Sequence, residues 1–118
     1  MFNDRSFYSK LVTPTLEVQK LNRYFNILPF KQNNVVLKMN DIPDEIVSKK
    51  YTNGYINASY IRDLNQDQGI DFIATQAPIA SSFYSFWLMV WQENVATIFM
   101  LCQGDGNGGC ENYWPKIN

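Results

Sequence analysis

The sequence predicts an α/β (α+β) fold in which helices pack on a mixed, twisted sheet. One segment repeats apolar residues at helical spacing, and several short segments rich in β-branched and aromatic residues lie between polar, turn-forming stretches. Apolar residues make up 46% of the 118 positions and aromatic residues 15%, a composition typical of a folded core. The length suits one domain or part of one.

The first twenty residues predict two short helical pieces, because Pro14 interrupts any longer helix across residues 6–21. We expect Thr13 to be the N-cap of the second piece and Pro14 to occupy its first helical position. Further along, strands are predicted at residues 34–38, 55–61 and 70–76. The turn-rich stretches 39–54 and 62–69 are predicted loops.

The strongest element is a helix predicted within residues 81–94, capped by Ser81 or Ser82. Its predicted buried face consists of apolar residues at helical spacing: Phe83, Phe86, Trp87, Val90 and Trp91. We interpret these aromatics as core and not as a ligand site. Residues 95–102 form a continuous apolar run that predicts a strand buried on both faces.

Charge and cysteine content exclude several classes of protein. Ten basic and eleven acidic residues are interspersed, so we expect no nucleic-acid partner. Gln92, Glu93 and Asn94 interrupt the apolar stretch 79–102, which argues against direct membrane insertion. The first residues lack an apolar run behind a basic start, so we expect no signal peptide. Cys102 and Cys110 do not make the disulfide framework of a small secreted domain, which favours a reducing, intracellular setting.

The absence of histidine excludes Ser-His-Asp and Cys-His catalysis and histidine-based metal sites. We expect no metal and no cofactor. Cys110 precedes Lys116 at a spacing that superficially suggests a phosphate-binding cysteine loop. Such a loop needs small residues with converging N–H groups, whereas Tyr113, Trp114 and Pro115 are bulky, so we interpret Cys110 as structural.

Four stretches, in order, resemble successive motifs of the protein tyrosine phosphatase domain. They are NRYFNILPF at 22–30, YINASYI at 55–61, FIATQAP with FWLMVW at 72–78 and 86–91, and CENYWP at 110–115. The resemblance implies a partial phosphatase fold in which 1–118 is a single incomplete domain. Residues 1–21 would be a helical or irregular lead-in, and 22–118 would carry the motifs.

The resemblance also implies roles for the first motif. Tyr24 would form a wall of a cleft and stack on the ring of phosphotyrosine, and Asn26 would hydrogen-bond the substrate backbone. Asn22 and Arg23 would support this substrate-binding loop. The substrate implied is a phosphotyrosine-containing protein or peptide.

The family hydrolyses phosphotyrosine through a cysteinyl-phosphate, using an HC-x5-R loop and a WPD aspartate. Neither motif occurs in this sequence, so we expect no catalytic residue here and no activity from the chain alone. A complementing C-terminal half of the domain is an expected partner. The alternative is a non-catalytic, pseudophosphatase-like binding module. We expect a cytoplasmic location, or the intracellular portion of a receptor-type parent.

Overall fold

The computed structural model describes residues 5–40, 54–62, 71–104 and 109–116, and these contain a three-stranded antiparallel sheet and three α-helices, the last of which packs on the sheet. The α+β fold class is therefore confirmed. Most of the two predicted loops, 39–54 and 62–69, lies outside the described residues. The elements, in chain order, are α1 (Arg5–Ser9), α2 (Leu16–Lys20), β1 (Asn34–Val36), β2 (Tyr55–Ile61), β3 (Phe72–Thr75), a 3₁₀ turn (Ala80–Ser82) and α3 (Phe83–Gln92).

The sheet has the strand order β1-β2-β3, with β2 in the middle. β2 and β3 pair in regular register from Ala58 opposite Thr75 to Ile61 opposite Phe72. The β1–β2 pairing shifts register between Asn34 and Val36, so β1 is short and irregular. Of the four predicted strands, the three before residue 77 are confirmed, two of them with narrower bounds.

The core lies between this sheet and α3. Its buried residues come from β1, from residues 37–38 that follow it (the β1 extension), from β2 and from α3: Val35, Leu37, Ile56, Ala58, Phe86, Leu88 and Met89. Gln92 fixes the end of α3 to the β1 extension, since its Oε1 accepts from the Lys38 N–H at 2.9 Å and its Nε2 donates to the Lys38 carbonyl at 2.7 Å. One contiguous apolar cluster thus joins the helix to the sheet.

Gly54 allows the chain to enter β2 close to the β1 extension. Its φ is +76°, and a Cβ added there would lie 2.5 Å from the Leu37 carbonyl oxygen. The Leu37 N–H donates to the Gly54 carbonyl at 2.8 Å. Only glycine combines this backbone conformation with this close approach.

The predicted helix at 81–94 is confirmed as α3, but its buried face differs in part from the prediction. Ser85, Phe86, Leu88 and Met89 are buried, whereas Trp91 is 68% exposed. Apolar residues occur all around this helix, so the sequence periodicity alone did not specify which side meets the sheet.

The two serines before α3 do not cap it as predicted. Ser82 is at the N-cap position without a side-chain capping bond, and its Oγ instead accepts from the Ile79 N–H at 3.0 Å. The Ser81 hydroxyl donates to the Lys20 carbonyl at 2.9 Å. The 3₁₀ turn that precedes α3 uses both hydroxyls to hold the chain entering the helix.

The prediction of two short helices before residue 22 is confirmed, but the predicted start of the second is wrong. α2 begins at Leu16, and Thr15 is its N-cap, with the Thr15 Oγ1 accepting from the Val18 N–H at 3.3 Å. Thr13 and Pro14 therefore precede the helix. Thr15, the second threonine, lies directly before the first helical residue, so its hydroxyl is in position to cap the helix.

The predicted strand at 95–102 is wrong. This segment belongs to no strand, and within the described parts of the chain it pairs with no ladder partner. Ile98, Phe99 and Leu101 are 41%, 73% and 97% exposed. An apolar run becomes a strand only where a neighbour accepts its backbone hydrogen bonds.

No helix among the described residues is long and apolar enough to cross a membrane.

A disulfide joins Cys102 to Cys110, with the two Cα atoms 6.3 Å apart. The sequence did not predict this bond. Cys110 is 1% exposed, as expected of a structural cysteine, while Cys102 is exposed.

Candidate functional site

The candidate site is the turn at residues 22–30, which joins α2 to the strand region. Its distal end is anchored by apolar packing and backbone pairing. Pro29 is buried, and its carbonyl accepts from the Val12 N–H at 2.9 Å. Phe30 pairs with Leu11 in an isolated bridge, and its ring meets the Phe7 ring edge-on at 5.5 Å. These contacts fix where the turn ends.

Arg23 anchors the near end of the turn to the exit of β3. Its Nε donates to the Ala77 carbonyl at 3.0 Å and its Nη2 donates to the Pro78 carbonyl at 3.1 Å. The Arg23 N–H donates to the Gln76 Oε1 at 2.9 Å, and the Gln76 Nε2 donates to the Leu21 carbonyl at 2.8 Å. Arginine suits this role because its fixed fork satisfies two carbonyls at once.

Asn22 anchors the same end to β2. Its Oδ1 accepts from the Tyr55 hydroxyl at 2.8 Å and from the Asn57 Nδ2 at 3.1 Å. The Asn57 Nδ2 also donates to the Ile27 carbonyl at 2.8 Å. Because a carbonyl only accepts, the Asn57 amide orientation is determined, and that in turn assigns Oδ1 as the Asn22 atom facing it. Asn22 thus links the turn to the central strand.

The Tyr55 hydroxyl lies in this buried network, and its ionisation is suppressed. Burial raises the pKa of Tyr55 to about 12, although the hydrogen bond to Asn22 acts in the opposite direction. Tyr55 therefore remains a neutral donor to Asn22 at physiological pH.

The side chains at the tip of the turn face outward. Tyr24 is 61% exposed, Phe25 77% and Ile27 57%, and Asn26 is also exposed. The turn is closed by the Ile27 N–H, which donates to the Tyr24 carbonyl at 3.3 Å. Flanking residues are thus held by the fold, while the tip presents an aromatic ring and a carboxamide to solvent. Such a surface can stack on a ring and hydrogen-bond a peptide, but it offers no acid or nucleophile.

The sequence interpretation placed Asn22, Arg23, Tyr24 and Asn26 in one loop, and the structure brings them together. It assigned Tyr55, Asn57 and Gln76 only to scaffold strands, whereas they form hydrogen bonds to the loop. One signal was present in the sequence. Tyr55 and Asn57 are two apart on a strand, so both point to one face while Ile56 and Ala58 point to the other.

In the described ranges, no group of three or more His, Cys, Asp or Glu residues is arranged to hold a metal ion. Both cysteines are joined to each other, so neither presents a thiolate in this structure. The described residues of the turn thus present polar and aromatic side chains to solvent.

Comparison with known proteins places this geometry in context. The family described as Protein-tyrosine phosphatase matches residues 18–118. The chain is 41% identical over 97 residues to human receptor-type tyrosine-protein phosphatase eta, covering 80% of this chain and 6% of that protein. It is 42% identical over 96 residues to rat tyrosine-protein phosphatase non-receptor type 5, covering 80% of this chain and 24% of that protein.

Solved structures show the same likeness. The catalytic domain of human protein tyrosine phosphatase non-receptor type 18 superposes with a TM-score of 0.67 at 32% identity, covering 86% of this chain and 34% of that one. PTPN18 in complex with HER2 phosphopeptides superposes with a TM-score of 0.69 at 29% identity, covering 94% of this chain and 37% of that one. The chain thus spans little more than a third of the solved domains that it matches.

Proposed function

This chain belongs to the protein-tyrosine phosphatase family, and on that premise we propose that residues 22–30 are the substrate-binding loop of a phosphotyrosine phosphatase domain. Tyr24 stacks on the phosphotyrosine ring, and Asn26 hydrogen-bonds the peptide backbone. The observation that carries this proposal is the contrast within one turn: Asn22 and Arg23 are hydrogen-bonded to distant strands, while Tyr24 is left 61% exposed.

The physical basis is preorganisation. A loop fixed before the ligand arrives loses little conformational entropy on binding, so more of the contact energy appears as affinity. A ring stacked on Tyr24 contributes about 0.5 to 1.5 kcal/mol beyond burial of its area. The Asn26 carboxamide carries both donors and an acceptor, which matches the alternating groups of a peptide backbone.

The reaction we propose for the complete domain is hydrolysis of phosphotyrosine through a cysteinyl-phosphate. The 118 residues contain no histidine and no HC-x5-R loop, and their two cysteines are bonded to each other. We therefore propose that these residues supply recognition and scaffold but no turnover.

The partners proposed are a phosphotyrosine-containing protein or peptide and the remaining part of a phosphatase domain. A solved relative, PTPN18, is complexed with HER2 phosphopeptides. The exposed apolar side chains of Ile98, Phe99 and Leu101 support docking of further phosphatase-domain structure. Residues 1–118 then act as part of a single domain, with 1–21 as its lead-in.

The location proposed is the cytoplasm or the intracellular portion of a receptor-type parent. Its support is that the relatives include both receptor-type and non-receptor phosphatases.

A chimera tests the proposal. Residues 18–118 replace the matching segment of the human non-receptor type 18 catalytic domain, and hydrolysis of a phosphotyrosine peptide is measured beside the 118-residue chain alone. The proposal expects turnover by the chimera and none by the isolated chain. A folded but inactive chimera, or turnover by the purified chain, contradicts it.

A further inference from the structure

The disulfide lies next to the segment that packs against the aromatic side chains of the core. Cys110 is three positions before Tyr113, and it is 1% exposed. Its N–H donates to the Gln103 carbonyl at 2.8 Å, so a backbone hydrogen bond joins the same two chain segments as the disulfide. Cys102, in contrast, is exposed. Cys102 is thus the exposed residue of the pair, and Cys110 is the buried one.

Tyr113 docks on α3 through three contacts. Its ring lies 4.9 Å from the Phe86 ring and 6.2 Å from the Trp87 ring, measured between centroids. Its carbonyl accepts from the Trp87 Nε1–H at 2.8 Å. Among the described residues after 102, Tyr113 is the one that packs against the core cluster.

We propose that the Cys102–Cys110 pair is a redox switch that controls docking of Tyr113 on α3. In the oxidised chain the bond holds residues 109–113 against Phe86 and Trp87. In the reduced chain the tether is lost, and the segment opens from the helix. The proposal does not depend on the recognition role of Tyr24.

The chemistry is thiol–disulfide exchange with glutathione disulfide. The exposed Cys102 thiolate attacks one sulfur of glutathione disulfide and releases one glutathione thiolate. The Cys110 thiolate then attacks the mixed disulfide at the Cys102 sulfur and releases the second. Two protein thiols lose two electrons and two protons, and one glutathione disulfide becomes two glutathione thiols. Excess reduced glutathione reverses both steps.

A disulfide closing a loop of this length is expected to shift a docking equilibrium by more than about tenfold, because it removes the entropy of bringing the ends together. The bond therefore favours the docked state without any change in the contacts themselves. Since glutathione keeps most intracellular thiols reduced, the bond would form only as the ratio of glutathione disulfide to glutathione rises.

The test measures the hydrogen-exchange rate of the Trp87 indole N–H in the full 118-residue chain. The chain is equilibrated either with reduced glutathione or with glutathione disulfide. We expect a mass loss of two hydrogens on oxidation and at least about tenfold slower exchange of the Trp87 indole. Trp91, which is 68% exposed, is the internal control and keeps the same rate in both states. In Cys102→Ser, the Trp87 rate is fast and independent of glutathione.

Several outcomes overturn the switch. One is a chain that forms no disulfide, or bonds only between two molecules. Another is equal Trp87 exchange in the oxidised and reduced chains. A loss of the far-UV helical signal on reduction, or in Cys102→Ser, would show a crosslink needed by the whole fold and not a local switch.

Discussion

Arg23 donates its Nε–H to the Ala77 carbonyl at 3.0 Å, and the two residues are 54 positions apart in the sequence. A second bond from the same guanidinium reaches the Pro78 carbonyl at 3.1 Å. The arginine next to Tyr24 is therefore part of the scaffold. It joins the turn to the exit of β3, while the neighbouring Tyr24 side chain remains exposed.

We expect Arg23→Ala to lower the free energy of unfolding by about 1 to 3 kcal/mol, because two partly buried carbonyls lose a charged donor. Arg23→Lys should recover only part of this, since an ammonium does not reproduce the planar fork. Urea unfolding measures both variants, with Arg62→Ala as the control, since this exposed guanidinium lies over the Tyr60 ring at 5.0 Å and satisfies no buried carbonyl among the described residues. Equal stability of Arg23→Ala and Arg62→Ala would contradict the scaffold role.

Asn22 and Tyr55 should be energetically coupled through their hydrogen bond of 2.8 Å. Tyr55→Phe and Asn22→Ala each remove the bond, so the double variant should be less destabilised than the sum by about 1 kcal/mol. A double-mutant cycle in urea unfolding provides the measurement. Strict additivity would mean that the bond contributes nothing to the loop.

The raised pKa of Tyr55 also predicts how the free energy of unfolding depends on alkaline pH. Its pKa is raised by burial from 10.0 in the unfolded chain to about 12 in the fold. Its contribution to stability is fully present below pH 10.0 and is lost as the pH rises towards about 12, because the unfolded state releases the proton first.

The measurement is the midpoint of urea unfolding, determined at several pH values across this alkaline range. Tyr55→Phe should show a shallower fall than the parent chain. Burial also raises the pKa of Tyr60, which contributes with the same sign, so the comparison between parent and Tyr55→Phe isolates the Tyr55 part. Parallel curves for the two proteins would show that Tyr55 ionises normally in the fold.

The face of α3 gives a fourth prediction. Phe86 is 4% exposed and Trp91 is 68% exposed, although both belong to the stripe that the sequence predicts as buried. Phe86→Ala should cost about 3 kcal/mol or more, because it removes a ring from the core and leaves a cavity. Trp91→Ala should change stability by less than about 0.5 kcal/mol. Thermal or urea unfolding compares the two, and similar losses would place both residues in the core.

The sequence predicted α3 because helical periodicity over ten residues is a strong local signal. The predicted buried face was only partly right, since Phe86 is buried and Trp91 is exposed. Apolar side chains surround the helix, so the position of the sheet decides which of them are buried. The segment 95–102 failed as a strand for a related reason. Its apolar composition is a local property, whereas a strand depends on a hydrogen-bonded neighbour that composition does not reveal.

For the candidate site, too, the sequence grouped residues that are neighbours in the chain but did not predict contacts between distant residues. Asn22, Arg23, Tyr24 and Asn26 are adjacent in the chain, so a short motif sufficed to group them. Gln76 meets them from more than fifty positions away, and only the antiparallel pairing of β2 with β3 explains its approach. The bond between Cys102 and Cys110 was equally out of reach, because spacing allows a disulfide without requiring one.

The proposed contact between Tyr24 and the phosphotyrosine ring is tested most directly by kcat/KM for a phosphotyrosine peptide and its phosphoserine counterpart, using the chimera that carries residues 18–118. Tyr24→Ala should lower kcat/KM for phosphotyrosine about tenfold and reduce the preference over phosphoserine, while Tyr24→Phe, which keeps the ring, should stay close to the parent. An unchanged preference in Tyr24→Ala, in a chimera of unchanged stability, would contradict the account.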